Sequence, residues 1–574
     1  MRAFNSLLLV LLLLALPAYG QSKKLVIRGA TVVDGTGRKA LVDAVVVVEG
    51  ERIVAVGPRA DVPIPDGARV IEAEGKFLAP GLVDAHIHFF QSAGIYTRPD
   101  IVDLRHVVSY EDEVASIRAR LVDTFHQYLA AGVTAVVDMG GPHWNFEVRK
   151  RAEGMADAPR VAVAGPLIST VARPQLDLGD PPIIQVSNIK EARKLVREQL
   201  KDNPVFIKIW YILPPSGDPQ ENLPLVKAVI DEAHKGGARV AVHATQLETA
   251  RAAVKAGADI LVHSVDDQLV DEAFVKLVKE RNIIYITTIV VYEGYADVFS
   301  RDIHLSEFEK LRGDPVAMAS WQELDRPVDP GEVARRQQRV ERLRSAQTIQ
   351  MENLKRLHGA GITVAAGTDA GNIGTLPGPS MHRELELMAA AGIPPADIIV
   401  SATRNAAMVG EAVPRYGTIE PGKLADMLLL SADPLADIGN YRLIERVIKG
   451  GTVFTPDELL PPTPAAVVQR QVDAYNARDI DAFAGFYAED VEIFRLPTGE
   501  SNLSGREALR EKYREFFEQT PDLNCQVMER IVTGNYVVDH EFVTGIAERP
   551  RLRATAIYQV EEGLIRRVWF LPKE

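Results

Sequence analysis

The stretch Pro80-Gly-Leu-Val-Asp-Ala-His-Ile-His88 decides how this chain is read. Its apolar run LVDAHI has the character of a strand, and side chains two apart on a strand project from one face. His86 and His88 therefore point together. Two neutral imidazoles at a strand's end form half of a transition-metal site, because ring nitrogens are good ligands for zinc-type ions. An isolated His-X-His is more often a strand with two incidental histidines, so its meaning depends on the ligand types that follow.

Residues 79–415 alternate short apolar runs with helical stretches, the signature of repeated βα units. Eight strands are expected: the run ending at His88, then residues 133–140, 160–168, 205–211, 239–244, 259–264, 283–290 and 362–370. Eight such units close into a (β/α)₈ TIM barrel, an α/β fold whose strands all open their carboxyl ends on one face. A doubly wound open sheet is the alternative, but no glycine-rich nucleotide loop follows the first strand. Lys208 sits late in the fourth expected strand, His243 ends the fifth, His263 the sixth and Asp369 the eighth. With His86 and His88 they make six polar side chains aimed at one rim. Each alone could cap a helix or pair with a surface acid; all six reaching one rim by accident is a different matter.

These residues resemble the amidohydrolase superfamily, in its imidazolonepropionase-like and prolidase-like branch. The resemblance rests on PGLVDAHIH, the strand-end Lys, His, His and Asp in order, SATRNAA at 401–407 and GTIEPGKLADMLLL at 417–430. It implies two divalent metal ions, zinc by preference. His86, His88 and Asp369 would hold one and His243 and His263 the other, with N6-carboxylated Lys208 as the bridge. A shared metal-bound hydroxide would attack an amide or cyclic amide C–N bond in a small, dipeptide-like molecule, with Asp369 as the catalytic base. An esterase or lactonase would use the same site, and a binding protein with a silent barrel is the non-enzymatic alternative. The branch commonly carries Thr-Gly-Gly after the lysine and His-Gly after the two later histidines. This chain has IWYILPPSGD, His243-Ala-Thr and His263-Ser-Val instead, which leaves the substrate open. Tyr211 and Tyr292, following strands on the active face, and His382, in the loop beyond the eighth strand, are candidate substrate contacts. The charged helical segment 299–352 interrupts the regular spacing and reads as a lid, or as a solvated helical pair.

On both flanks the texture is short strands and turns. Residues 24–78 and 416–455 are expected to complete one small β-sandwich around the barrel, two separate β pieces being the alternative. The proline-rich linker 456–464 should be extended and exposed. Beyond it, 465–574 begins with helices and turns to strands, an α+β cone that resembles the SnoaL-like, nuclear transport factor 2-like family. Asp490, His540 and Tyr558 are its candidate pocket residues, and the family resemblance implies a ligand-holding role or a homo-oligomer through the sheet.

The 574-residue chain is too long for one core, and its 47% hydrophobic and 25% charged residues suit a folded soluble protein. A formal charge of -13 without a long basic run argues against a nucleic-acid partner. Its single cysteine, Cys525, excludes a disulfide framework and a cysteine zinc site. Arg2, the apolar run 7–16 and the small residues ending at Gly20 read as a signal peptide over 1–20, cleaved after Gly20. A stable membrane anchor needs about twenty apolar residues, so a periplasmic or secreted protein is expected.

Overall fold

The computed structural model describes residues 24–213, 217–325, 330–547 and 549–571. The expected signal segment lies outside them. No helix among the described residues is long and apolar enough to cross a membrane.

The barrel begins at Leu82–Ile87, all six residues buried, and continues through Val133–Asp138 and the split third strand. The other strands are Ile207–Trp210, Val240–His243, Ile260–Val262, Ile284–Ile286 and Thr363–Ala365. All pair in parallel, and burial on both faces explains why their sequences are continuous apolar runs. The cylinder closes where Ala85 N donates to Ala366 O at 3.1 Å and His88 N to Ala370 O at 2.9 Å. The third strand, expected unbroken over 160–168, is two pieces, Arg160–Val163 and Leu167–Ser169. Gly165, with φ 89°, and Pro166, which has no N–H to offer a ladder, bend the chain between them.

The seventh strand is shorter than expected. It stops at Ile286, and Ile289–Ser300 is helical despite its β-branched start. The cause lies about a hundred residues on: the buried carboxylate of Glu384 accepts from Val290 N at 2.8 Å, satisfying a donor that a helix's first turn leaves open. The inserted segment then forms Glu307–Arg312, Pro315–Ser320 and the long helix Pro330–Gly359.

Strands from both flanks make one hydrogen-bonded, eight-stranded sheet. Its joint is Phe77–Pro80 antiparallel to Met427–Leu430, with Pro80 opposite Met427 and Phe77 opposite Leu430. Ile27, Val46 and Leu78 from one flank share a hydrophobic cluster with Ile419, Leu429 and Ile448 from the other. The expected linker differs: Pro456–Leu459 is a short helix closed by a Thr455–Glu458 capping box, and Leu459 is buried in the cluster that holds the barrel's helices. Arg312 clasps it, bonding the carbonyls of Pro456 (3.3 Å) and Leu460 (3.2 Å) and the carboxylate of Asp457 (2.6 Å).

The C-terminal unit packs helices Pro464–Ala477, Ile480–Gly485 and Arg506–Gln519 against a six-stranded sheet. Two of its strands, Tyr487–Arg495 and Glu500–Ser504, lie between helices rather than after them. Tyr558 faces inward and donates to Glu541 at 2.8 Å. Asp490 and His540 do not join it: Asp490 is exposed and paired with Arg566, and His540 is exposed beside the inward Glu541, as strand alternation requires.

Candidate metal centre

Three ligand types meet at the barrel's closure. His86 and His88 alternate on and just past the first strand, with Nε2 atoms 3.3 Å apart, and each lies 3.2 Å from Asp369 Oδ1. One ligand atom from each of the three falls within 4.8 Å of the others. The His263 ring, just past the sixth strand, lies 4.7 Å from the His86 ring, tilted against it, and 4.3 Å from that of His243, which ends the fifth, edge to face. All of these and Lys208 line one cavity of about 230 Å³. The expected six thus converge.

Their backbone and electrostatics are unusual. His263 (φ 72°) and Asp369 (φ 61°) both hold the left-handed region, a strain that persists only where surrounding structure enforces it. Burial, helped by neighbouring imidazoles and Lys208, depresses His86, His243 and His263 well below the ordinary histidine value, so all three are neutral with a lone pair free. His88 donates Nδ1–H to Gly140 O at 2.7 Å, which turns its Nε2 lone pair to the cluster. His263 Nδ1 meets Thr288 Oγ1 at 2.8 Å. Lys208 is 1% exposed, and among the described residues its Nζ reaches only Met139 Sδ, at 4.0 Å. Burial lowers it to about 7, with Asp369 opposing. Among the described residues, His86 Nδ1 and Asp369 Oδ1 of this cluster are buried and find no hydrogen-bond partner. A buried polar atom left unpaired is costly, and a cluster of neutral imidazoles around an unpartnered carboxylate oxygen has the donor set of a divalent cation site.

Other groups that matter escaped sequence reasoning. Asp84, wholly buried between His86 and the first strand's start, accepts from His86 N (3.1 Å), Thr368 N (3.0 Å) and Thr368 Oγ1 (2.5 Å), tying the first strand to the eighth. Its burial pushes the carboxyl up to about 7. Asp138 likewise holds Gly140 N at 2.9 Å and Asn145 Nδ2 at 2.6 Å, fixing the carbonyl that orients His88. An acid inside an otherwise apolar parallel strand was the available signal for both.

Of the three candidate substrate contacts, only Tyr292 lines the cavity; its hydroxyl donates to Asp266. Tyr211 does not reach it. That side chain packs into the core beneath the helices, with its hydroxyl on the Pro219 carbonyl. His382 is also elsewhere: it lies on the helix Pro379–Ala390 rather than in a loop, and its Nε2–H is taken by Ala131 O at 2.7 Å. The inserted helix reaches the site, since Arg339 and Leu343 line the cavity.

Comparison with known proteins finds relatives along most of the chain. An ochratoxinase of Aspergillus niger is 26% identical over 480 residues, covering 77% of this chain and 88% of its own. An imidazolonepropionase of Rhizorhabdus wittichii is 26% identical over 438 residues, 72% of this chain and 96% of its own. The crystal structure of A. niger ochratoxinase aligns with TM-score 0.58 at 23% identity, over 76% of this chain and 96% of that one. A prolidase complexed with N-methylphosphonate-L-proline aligns with TM-score 0.58 at 24% identity, over 75% and 99%. At such identities these two structures speak for the fold. Residues 468–568 match the SnoaL-like domain. A second match runs from Phe77, at the joint of the flanking sheet, to Phe454 in its last strand; the whole barrel lies inside it, and the chain belongs to the amidohydrolase family.

Proposed function

We propose that this protein is an exported, metal-dependent amidohydrolase that cleaves an amide or cyclic amide C–N bond in a small molecule. The observation that carries the reading is the convergence of His86, His88, Lys208, His243, His263 and Asp369 on one cavity, with His86 Nδ1 and Asp369 Oδ1 buried and unpartnered. His86, His88 and Asp369 would hold one divalent ion and His243 and His263 a second; zinc suits a donor set rich in imidazole. Such ions supply an acidified water and a Lewis acid for the substrate carbonyl.

The chain's own groups do the rest. Asp369 takes the proton of the attacking water and passes it to the leaving nitrogen. Lys208 acts as its N6-carboxylate. Its amine, drawn down to about 7, presents a free lone pair to carbon dioxide near neutral pH; the N–C bond forms and the proton leaves to solvent. Lys208→Ala should therefore cost metal as well as rate, with partial rescue by short carboxylic acids, whereas normal metal content in this variant would remove the bridging role. The inserted helix contributes Arg339 and Leu343 to the cavity wall, and would limit the access of bulk water to the reacting carbonyl.

Metal analysis of the purified protein, then a screen of acyl amino acids, dipeptides, hydantoin-like rings and lactones, tests the assignment. Two ions per chain and amide turnover are expected; turnover undiminished after metal removal would overturn it. Export predicts a mature chain starting at Gln21, read by intact mass. The C-terminal unit is assigned a homo-oligomeric role, tested by gel filtration of the chain truncated after Pro461: an unchanged oligomer removes it.

A further inference from the structure

The end of the barrel opposite the metal centre holds a second polar hollow. Arg160 opens the first piece of the third strand, and Lys449 ends the strand Ile444–Lys449 of the flanking sheet. The metal centre gathers at the carboxyl ends of the barrel strands, so a residue that begins a strand lies at the other end. Arg160, Lys449 and Tyr416 line one cavity of about 1050 Å³ between the barrel's floor and the sheet, and it shares no lining residue with the cavity that holds His86 and Asp369.

Three donors in this hollow are left over. Asp426 accepts from Arg160 Nε at 2.6 Å, from Arg160 Nη2 at 3.0 Å and from Gly450 N at 2.8 Å, which spends that carboxylate and leaves Arg160 Nη1 without an acceptor. The Tyr416 hydroxyl and Lys449 Nζ likewise find no acceptor among the described residues, and no carboxylate there lies within 4.0 Å of Lys449. Yet Lys449 is 9% exposed and Tyr416 4%. Loss of hydration draws the Lys449 amine below the ordinary lysine value, while Asp426 and Glu51 oppose this from beyond contact distance. The acids on the wall do not answer these donors: Glu411 is tied to Arg415 Nε at 3.0 Å, and Glu51 and Glu153 are exposed. A buried cation without a partner is costly, and a hollow rich in donors and poor in acceptors is complementary to an oxyanion.

We propose that Lys449, Arg160 and Tyr416 form a binding site for a phosphate group. Its oxygens radiate tetrahedrally and suit three donors delivered by three separate segments, and its double negative charge suits an ammonium beside a guanidinium. Phe146 and Met155 line the same cavity and would receive the organic part of a phosphate monoester. The site is independent of the hydrolase reading, since it uses none of the candidate metal ligands. A phosphate held there joins the third strand to the flanking sheet, so binding stabilises the folded chain.

The test is calorimetric titration of the full-length, metal-loaded protein with inorganic phosphate and with phenyl phosphate, for wild type, Lys449→Met and Tyr416→Phe. Wild type should show a binding event that Lys449→Met weakens by about 10- to 100-fold and Tyr416→Phe by about 3- to 10-fold. Phosphate drawn to the metal centre instead would bind all three proteins alike, so the difference between wild type and the variants reports this site alone. The same loss should appear as a smaller rise in Tm on adding phosphate to either variant. Tighter binding of phenyl phosphate assigns the site to a monoester, and equal binding assigns it to the free ion. Isotherms that neither variant changes would overturn the site, as would a wild type that binds neither probe. Should Lys449→Met fail to fold, Tyr416→Phe, which removes one oxygen atom, decides by the same criterion.

Discussion

The barrel mouth and the cone are both hollow, and their hollows differ in kind. The cone's cavity is the larger, about 550 Å³ against about 230 Å³, and is walled by aromatic groups such as Tyr475, Tyr513 and Phe516. Of the acids lining it only Glu541 is buried, and it already takes the Tyr558 hydroxyl. At the barrel mouth, polar groups from separate strands face one another, and a carboxylate oxygen and an imidazole nitrogen are left unpartnered. The proposed reaction centre therefore rests on the convergence of ligand types from separate strands, not on volume.

The sharpest way to break this contrast is to remove one polar group from each hollow. Asp369→Asn keeps size and much of the ligand field but loses the proton carrier, so amide turnover should fall by about 10²- to 10⁴-fold with much of the metal retained. Tyr558→Phe in the cone should leave the same rate within about twofold. Near-normal turnover in the first variant, measured with metal content, would contradict the base assigned here.

The barrel mouth was legible because its groups sit at strand ends, where a period of two and the order of βα units place a side chain without knowledge of the rest. His86, His88, His243, His263 and Asp369 all come from such positions, and Lys208 from inside a strand. Groups delivered from outside the βα repeat were not legible: Arg98 reaches the cavity from the excursion after the first strand and Arg339 from the inserted helix, and no periodicity ties either to the rim. Tyr211 misled because following a strand on the active face does not decide which layer a side chain enters. The apolar, β-branched run after Ile286 misled for another reason, since the distant Glu384 supplies a helix-start acceptor that local propensity cannot register. Likewise the prolines after Thr455 suggested an extended linker, while the burial of Leu459 and the clasp of Arg312 are long-range effects.

That buried tail offers the next test. If Leu459 belongs to the barrel's core rather than to a linker, Leu459→Ala should cost about 2–5 kcal/mol in the barrel's unfolding and leave a separate cone transition where it was. Loss under 0.5 kcal/mol by denaturant titration would return the segment to linker status.

Glu384 is a buried acid outside the candidate metal centre. Burial raises its carboxyl to about 7, against an unfolded value near 4.3. The folded state thus binds the proton more tightly, so between those two values wild type loses stability as pH rises. Glu384→Gln cannot ionise but keeps an acceptor for Val290 N. Its stability relative to wild type should climb from pH 5 to 7, by something on the order of 3 kcal/mol in all, and stay level above. A flat difference across that window would mean that the acid is not held protonated.

The smallest effect belongs to the cone's outer face. Asp490 was a candidate for the pocket, and the structure instead sets it outside, 2.8 Å from Arg566, with 69% of its side chain exposed. Water and salt screen such a pair, and holding two long side chains together offsets much of the attraction. Arg566→Ala should therefore change the cone's stability by less than about 1 kcal/mol, with the difference shrinking further in 0.5 M salt. A larger loss that salt does not reduce would mean the pair is shielded from solvent in the assembled protein, and would place Asp490 at an interface between copies of the cone rather than on a free surface.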